Sequence, residues 1–98
     1  MLNQIVLVGR LTKEIKEEDN KCKIQIAIPR SFKNTNGEYE TDFVNCIAFG
    51  NIGSSAKEYC EKGDLIGIKG RVQTTNNKLE VIAERITFLN SKKSEVDE

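Results

Sequence analysis

Between Glu38 and Gly50 the chain reads E-Y-E-T-D-F-V-N-C-I-A-F-G, and no other stretch constrains the fold as much. Side chains alternate across a strand. Phe43, Asn45, Ile47 and Phe49 therefore share one side, and Val44, Cys46, Ala48 and Gly50 the other. The second set is small or apolar and suits a closed core. The first set puts two phenylalanines on a face that the core does not need. The stretch predicts one long strand with an inner and an outer face, and the outer face either packs or binds.

The remaining segments supply partners for that strand. Residues 3–12 are aliphatic in both phases, Ile5, Leu7 and Leu11 against Val6 and Val8, which predicts a strand covered on both faces. Gly9 interrupts it. A glycine inside a strand marks a bulge or bend, and in a small barrel such a bend lets one strand pair with two neighbours. The charged stretch from Lys13 to Asn20 reads as a loop or strand extension. From Lys21 to Pro29, Cys22, Ile24, Ile26 and Ile28 alternate with Lys23, Gln25, Ala27 and Pro29. This is the pattern of a half-buried antiparallel strand, and Pro29 should end it or lie at an edge. Arg30 to Gly37 reads as a polar connection that exposes Phe32 and turns at Asn36-Gly37.

Asn51 to Lys62 predicts the one helix. Ser55-x-x-Glu58 fits a capping box, Ile52, Ala56, Tyr59 and Cys60 share a face, and Gly63 suits the left-handed position after a helix. Tyr59 is expected to anchor the helix in the core. Asp64 to Thr74 is a strand with Ile66, Ile68, Gly70 and Val72 inward, and its two glycines suggest curvature or close backbone approach. Thr75 to Lys78 is a tight hairpin turn. Lys78 to Leu89 is the last strand, with Leu79, Val81 and Ala83 against Glu80, Ile82 and Glu84, and Phe88 packing at its end. Three strands, one helix and two strands predict an all-β fold. The match is a five-stranded Greek-key barrel of the OB-fold type, with one short helix between strands 3 and 4.

A chain of 98 residues makes one domain, expected over 1–90, with a short charged tail over 91–98. Fifteen basic and fifteen acidic residues balance. The body alone is close to neutral, so any cationic footprint must be a local groove, with an affinity that falls as salt rises. No apolar run approaches the ~18 residues that span a bilayer, and no basic segment precedes the first apolar residues. A cytoplasmic protein with no membrane partner is expected. Cys22, Cys46 and Cys60 are odd in number and widely spaced, and there is no histidine. Reduced, buried thiols are expected, with no metal site and no disulfide framework. Without histidine the commonest general base is missing, and no glycine-rich phosphate loop is present. No catalytic residue and no cofactor is expected.

A binding surface is better supported. Phe32, Phe43 and Phe49 are three of the four phenylalanines and none lies on a core face, while Arg30, Lys33, Lys69 and Arg71 are interleaved near them. Aromatics in a positive groove suit sequence-tolerant binding of a single nucleic-acid strand, because every base has a face that can stack. The residues alone leave a subunit contact as an equal alternative for this face.

Three segments in order resemble the bacterial single-stranded DNA-binding protein family across nearly the whole chain. They are M-L-N-Q-I-V-L-V-G-R-L-T-K, T-D-F-V-N-C-I-A-F-G and A-K-E-Y-C-E-K-G-D-L-I-G-I-K-G-R-V-Q-T. The resemblance implies an OB-fold that assembles as a homotetramer and wraps single-stranded DNA in replication, recombination and repair. It implies that Phe32, Phe43 and Phe49 stack on bases, with tryptophan common in the family at the first two. Arg10, Arg30, Lys33, Lys69 and Arg71 are the cations assigned to the backbone path. The family's first strand contributes to a dimer contact, which accounts for the apolar character of residues 3–12. Two departures stand out. The hairpin near Thr74–Lys78 is short and carries no aromatic, which implies a smaller footprint per subunit. The chain ends in S-E-V-D-E rather than in a long linker with an acidic Pro-Phe tip, which puts recruitment of replication and repair proteins in doubt. The rival reading is a dimeric OB-fold primosome accessory or protein-interaction module.

Overall fold

A computed structural model describes residues 1–89. Its elements are β1 (Ile5–Leu11), β2 (Lys16–Glu18), β3 (Lys21–Lys33), β4 (Tyr39–Phe49), α1 (Gly50–Tyr59), β5 (Leu65–Thr75) and β6 (Lys78–Phe88). The strands run in the order β1-β5-β6-β4-β3-β2, and a further pairing of β1 with β3 closes the sheet into a barrel. Five long strands form the wall, as the alternation predicts. The sixth, β2, is three residues that pair antiparallel with the start of β3 across the Asp19-Asn20 turn, in which both residues have positive φ.

Gly9 does what its position predicts. β1 pairs with β5 along its length and with β3 at Arg10 and Leu11. A side chain at Gly9 would press within 2.7 Å of the Ala27 carbonyl oxygen, so only glycine lets β1 come so close to β3. At Gly70 a Cβ would collide with the Ile82 carbonyl, beside the β5–β6 register shift at Lys69/Gly70. That shift breaks simple alternation in β6. Val81, Ile82 and Ala83 are all buried in succession, while Leu79 stands out in solvent. The core is Leu11, Ile24, Ile26, Cys46, Ala48, Ile66 and Ile68 with their neighbours. Ile15, in the charged segment before β2, joins it, a core residue that the surrounding lysines and glutamates conceal in the sequence.

Two local expectations are corrected and two are sharpened. Pro29 lies at an edge, one of its two expected placements, because the described pairings of β3 at that point are with β4 alone, but it does not end its strand. It faces Thr41, and β3 continues through a bulge to Lys33. The missing N–H of Pro29 is accommodated beside this irregularity, where ladder bonds are already disrupted. The helix does not start from a Ser55 capping box. It springs from the end of β4 at Gly50, φ +59°, with Phe49 as an N-cap that makes no side-chain bond. Packing sets that start. Gly53 lies so close to Cys22 and Ala48 that a Cβ would sit 2.8 Å from the Cys22 Sγ and the Ala48 oxygen, and Ala56 is buried beside it. Gly63 is left-handed, φ +95°, but lies beyond the Cys60 C-cap and donates its N–H to the Leu11 carbonyl at 2.7 Å. Tyr59 is not a core anchor. It is exposed and tilts against Phe88 at a centroid distance of 6.0 Å, and Phe88 packs on the core as expected.

In a single chain β1 is not covered on both faces. Val6 and Val8 are exposed, as are Met1 and Leu2. The expected tail over 91–98 lies outside the described residues.

Candidate nucleic-acid interface

β3 and β4 pair in register from Lys21↔Phe49 to Pro29↔Thr41. Directly opposed residues share a face. The inner face carries Cys22, Ile24 and Ile26 against Ala48, Cys46 and Val44. The outer face is then Lys21, Lys23, Gln25 and Ala27 against Phe49, Ile47, Asn45 and Phe43. Phe43 and Phe49 are 62% and 48% exposed, and Phe32, beyond the bulge, is 65% exposed. Burial of an aromatic ring is strongly favourable, so three uncovered rings on one ribbon form an unspent contact surface. A fourth exposed aromatic, Tyr39, was not singled out in the sequence. It pairs with Lys33, whose Nζ lies 5.7 Å from its ring centroid.

A polar row crosses the middle of this face. The Thr12 hydroxyl donates to Gln25 Oε1 at 2.8 Å, and Gln25 Nε2 donates to Asn45 Oδ1 at 3.0 Å. This orients Asn45 between Phe43 and Phe49.

The five cations expected on a backbone path occupy different settings. Arg30 is clamped by its own hairpin. Its Nε and Nη2 donate to the two Asp42 oxygens at 3.1 and 2.9 Å, and Nη1 donates to Glu40 at 2.7 Å. The hydrogen bond and the charge of Arg30 hold the Asp42 carboxyl below its ordinary range, and Asp42 raises Arg30 in turn. Two carboxylates thus more than neutralise one guanidinium at the base of the hairpin that carries Phe32. Arg10 sits in a row with Ala27 and Phe43 and donates to the Gly63 carbonyl at 3.1 Å. Arg71 binds Gln73 at 2.7 Å and lies 3.4 Å from Glu84. Lys69 stands on β5 opposite Val6 and Arg85, away from the β3–β4 aromatics. Lys33 lies at the tip, over Tyr39.

Other lysines lie closer to the open groove beside the face. Lys13, Lys23 and Lys78 line a depression of about 400 Å³ between β3–β4 and the β5–β6 hairpin, and none has a carboxylate partner among the described residues. Register could have found Lys23, which falls opposite Ile47 on the outer phase. Lys13 and Lys78 come close only through the barrel's closure.

The thiols offer no chemistry. Burial pushes Cys46 and Cys60 up to about 11, and Cys22 is raised as well. They stay protonated and unreactive near neutral pH. Among the described residues no cluster of potential metal ligands occurs and no helix is long and apolar enough to cross a membrane.

Residues 2–89 match the model of the single-strand binding protein family. The chain belongs to this family. Single-stranded DNA-binding protein B of Bacillus subtilis is 36% identical over 109 aligned positions, covering 97% of this chain and 96% of its own length. Single-stranded DNA-binding protein 2 of Staphylococcus aureus is 41% identical, covering 94% of this chain and 75% of its own. Both alignments contain more positions than this chain has residues, so these family members carry insertions relative to it. Among solved structures, the mitochondrial single-stranded DNA-binding protein of S. cerevisiae superposes with a TM-score of 0.71 at 25% identity. It covers 93% of this chain and 99% of that one. The small single-stranded DNA-binding protein of Streptomyces coelicolor shares the fold, with a TM-score of 0.69 at 15% identity over 91% of this chain and 95% of that one.

Proposed function

We propose that this protein binds and protects single-stranded DNA without reading its sequence, in replication, recombination and repair, and that it does so without catalysis. The observation that carries the reading is the outward row of Phe43 and Phe49 on the paired part of β4, in a chain of the single-strand binding protein family. Strand pairing holds both rings on one face, so bases can stack on them with little ordering cost to the protein. Phe32 adds a third ring at the hairpin. Lys33 and Arg10 flank that path. Lys69 and Arg71 serve a strand that continues around the β5 side of the barrel. Arg30 contributes less than its charge suggests, because Glu40 and Asp42 hold it.

The working form is a cytoplasmic homotetramer. The exposed Val6 and Val8 on β1 support an assembly in which a second copy covers them. The two-residue turn at Asn76-Asn77, both with positive φ, makes the β5–β6 hairpin tight, and supports a smaller site size per subunit than in long-hairpin relatives. Recruitment of other replication and repair proteins is not part of the proposal. The rival reading, a dimeric primosome accessory module, shares the fold. It differs in mass and in its dependence on DNA.

The test is a salt-titrated binding assay with oligo-dT and with duplex DNA, run alongside mass determination by light scattering. Tight, salt-weakened binding to the single strand by a tetramer is expected. A dimer with feeble single-strand affinity would favour the rival.

A further inference from the structure

The first four residues lie outside the core, and Met1 and Leu2 are fully exposed. Their path is nonetheless fixed. β1 pairs with β5 at Ile5↔Gly70. The Asn3 side chain carries that register on. Its Nδ2 donates to the Val72 carbonyl at 2.8 Å, and its Oδ1 accepts from the Val72 N–H at 2.9 Å. The line of β1 therefore runs back past Ile5, and Leu2 falls in the outward phase of Val6 and Val8. A recess of about 380 Å³ opens on the same outward side. Its walls are Val8, Arg10 and Leu65 from β1 and β5, and Ala27, Pro29 and Thr41 from β3 and β4. It marks the fork where β1, paired with β3 only at Arg10 and Leu11, parts from it. Beyond the fork, the β1 edge from Ile5 to Val8 has no strand beside it among the described residues. An apolar cavity of ~150 Å³ already takes a benzene-sized group, so a leucine side chain fits in this recess.

We infer that this recess receives Leu2 of a second copy of the chain, so that each copy's N-terminus completes the footing of its neighbour's Arg10, Ala27 and Phe43 row. The open edge of β1 points to a second copy as the occupant. Directly opposed residues of an antiparallel pair share a face. Two β1 edges paired about Val6, the more exposed of the strand's two valines, set Val6 on Val6, Val8 on Gln4 and Arg10 on Leu2. The edge at Arg10 is already taken by Ala27. The incoming chain must leave the ladder there, and its outward Leu2 side chain enters the fork. The Arg10 head group is held by the Gly63 carbonyl at 3.1 Å, which leaves its apolar stem to meet the leucine. A two-fold pairing buries two such leucines, one in each recess. The inference rests on the reading in which a second copy covers Val6 and Val8. It goes further in naming the residue that crosses between copies and in tying assembly to the footing of Phe43.

The test uses the full chain, whose three native cysteines are buried and leave engineered thiols as the reactive ones. On oxidation, Leu2→Cys/Thr41→Cys should give a covalent dimer on a non-reducing gel. Leu2→Cys/Lys57→Cys, with its second thiol on the exposed side of α1, should give far less. Leu2→Ser should weaken self-association about tenfold or more for each leucine withdrawn, as full burial of that side chain implies. Light scattering over a dilution series reads this, and oligo-dT affinity should fall with it. Leu2→Ile should keep both close to the wild type. All substituted positions are exposed in the single chain, and circular dichroism checks that each variant is folded. An assembled wild type whose Leu2→Cys/Thr41→Cys variant forms no covalent dimer, or whose mass or DNA affinity ignores Leu2→Ser, overturns the inference while the assembly reading stands. A wild type that is monomeric at every concentration overturns the assembly reading itself.

Discussion

The two ends of the β3–β4 ribbon carry similar numbers of cations and treat them in opposite ways. At the hairpin end, Arg30 is fixed by three hydrogen bonds to Asp42 and Glu40, and Lys33 lies over the Tyr39 ring. At the barrel end, Lys13 and Lys23, with Lys78 from the neighbouring hairpin, have no acidic partner among the described residues. The backbone differs too. The barrel end keeps continuous register from Lys21↔Phe49 to Pro29↔Thr41, whereas Arg30, Ser31 and Phe32 lie in a bulge. The lesson is that residue type does not decide whether a cation is available to DNA. An arginine that closes a bulge by gripping two carboxylates acts first as a fastener, and a lysine on a regular strand is free to act as a contact.

This contrast can be broken most sharply through the rings. Phe49→Ala, at the ordered end, should cost roughly 1–3 kcal/mol of oligo-dT affinity. Phe32→Ala should cost less, because the bulged hairpin loses freedom when it binds and offsets part of the stacking. Fluorescence anisotropy with labelled oligo-dT measures both, and equal losses would erase the distinction between the ends.

The next effect comes from the clamp. Glu40→Gln/Asp42→Asn frees Arg30 and removes two carboxylates from the path. Affinity for oligo-dT should rise several-fold, and the salt slope should steepen by about 0.7 as Arg30 gains a phosphate. A fall in affinity without any change of slope would mean that the clamp matters only for holding the hairpin.

The smallest expected effect is that of pH. Asp42 is held below its ordinary value by Arg30, so the clamp is complete above the usual carboxylate range and opens only as pH falls through the lowered value. With no histidine in the chain, the salt slope should stay constant between about pH 5 and pH 8. A slope that changes within that window would show a titrating group at the interface.

Much of the barrel was legible because alternation records burial directly. Val44, Cys46 and Ala48 read inward and Phe43 and Phe49 outward, and the structure agrees. Gly9 and the Asn76-Asn77 turn were legible because so few residues tolerate close approach or positive φ. What could not be read depends on tertiary packing. The helix start follows the fit of Gly53 and Ala56 against Cys22 and Ala48, and this overrides the local appeal of Ser55. The passage of β3 beyond Pro29 depends on a bulge and on the Arg30 clamp, whose acidic partners lie ten and twelve residues away. Lys13, Lys23 and Lys78 come from three separate segments, and only closure of the barrel sets them around one groove. The standing of Phe43 and Phe49 as stacking rings came from the family resemblance, since the residues alone fitted a subunit contact equally well.

The central claim is that the outer face of β4 is where the single strand stacks. The most direct measurement compares the wild type with the Phe43→Ala/Phe49→Ala variant for binding to oligo-dT at several salt concentrations. Circular dichroism and light scattering should confirm an unchanged fold and mass. Both rings are exposed and hold no core position, so the variant should fold. It should lose about thirtyfold or more in affinity, equivalent to roughly 1–3 kcal/mol for each ring, while the salt slope stays close to that of the wild type. A folded variant that binds oligo-dT as tightly as the wild type would contradict the account.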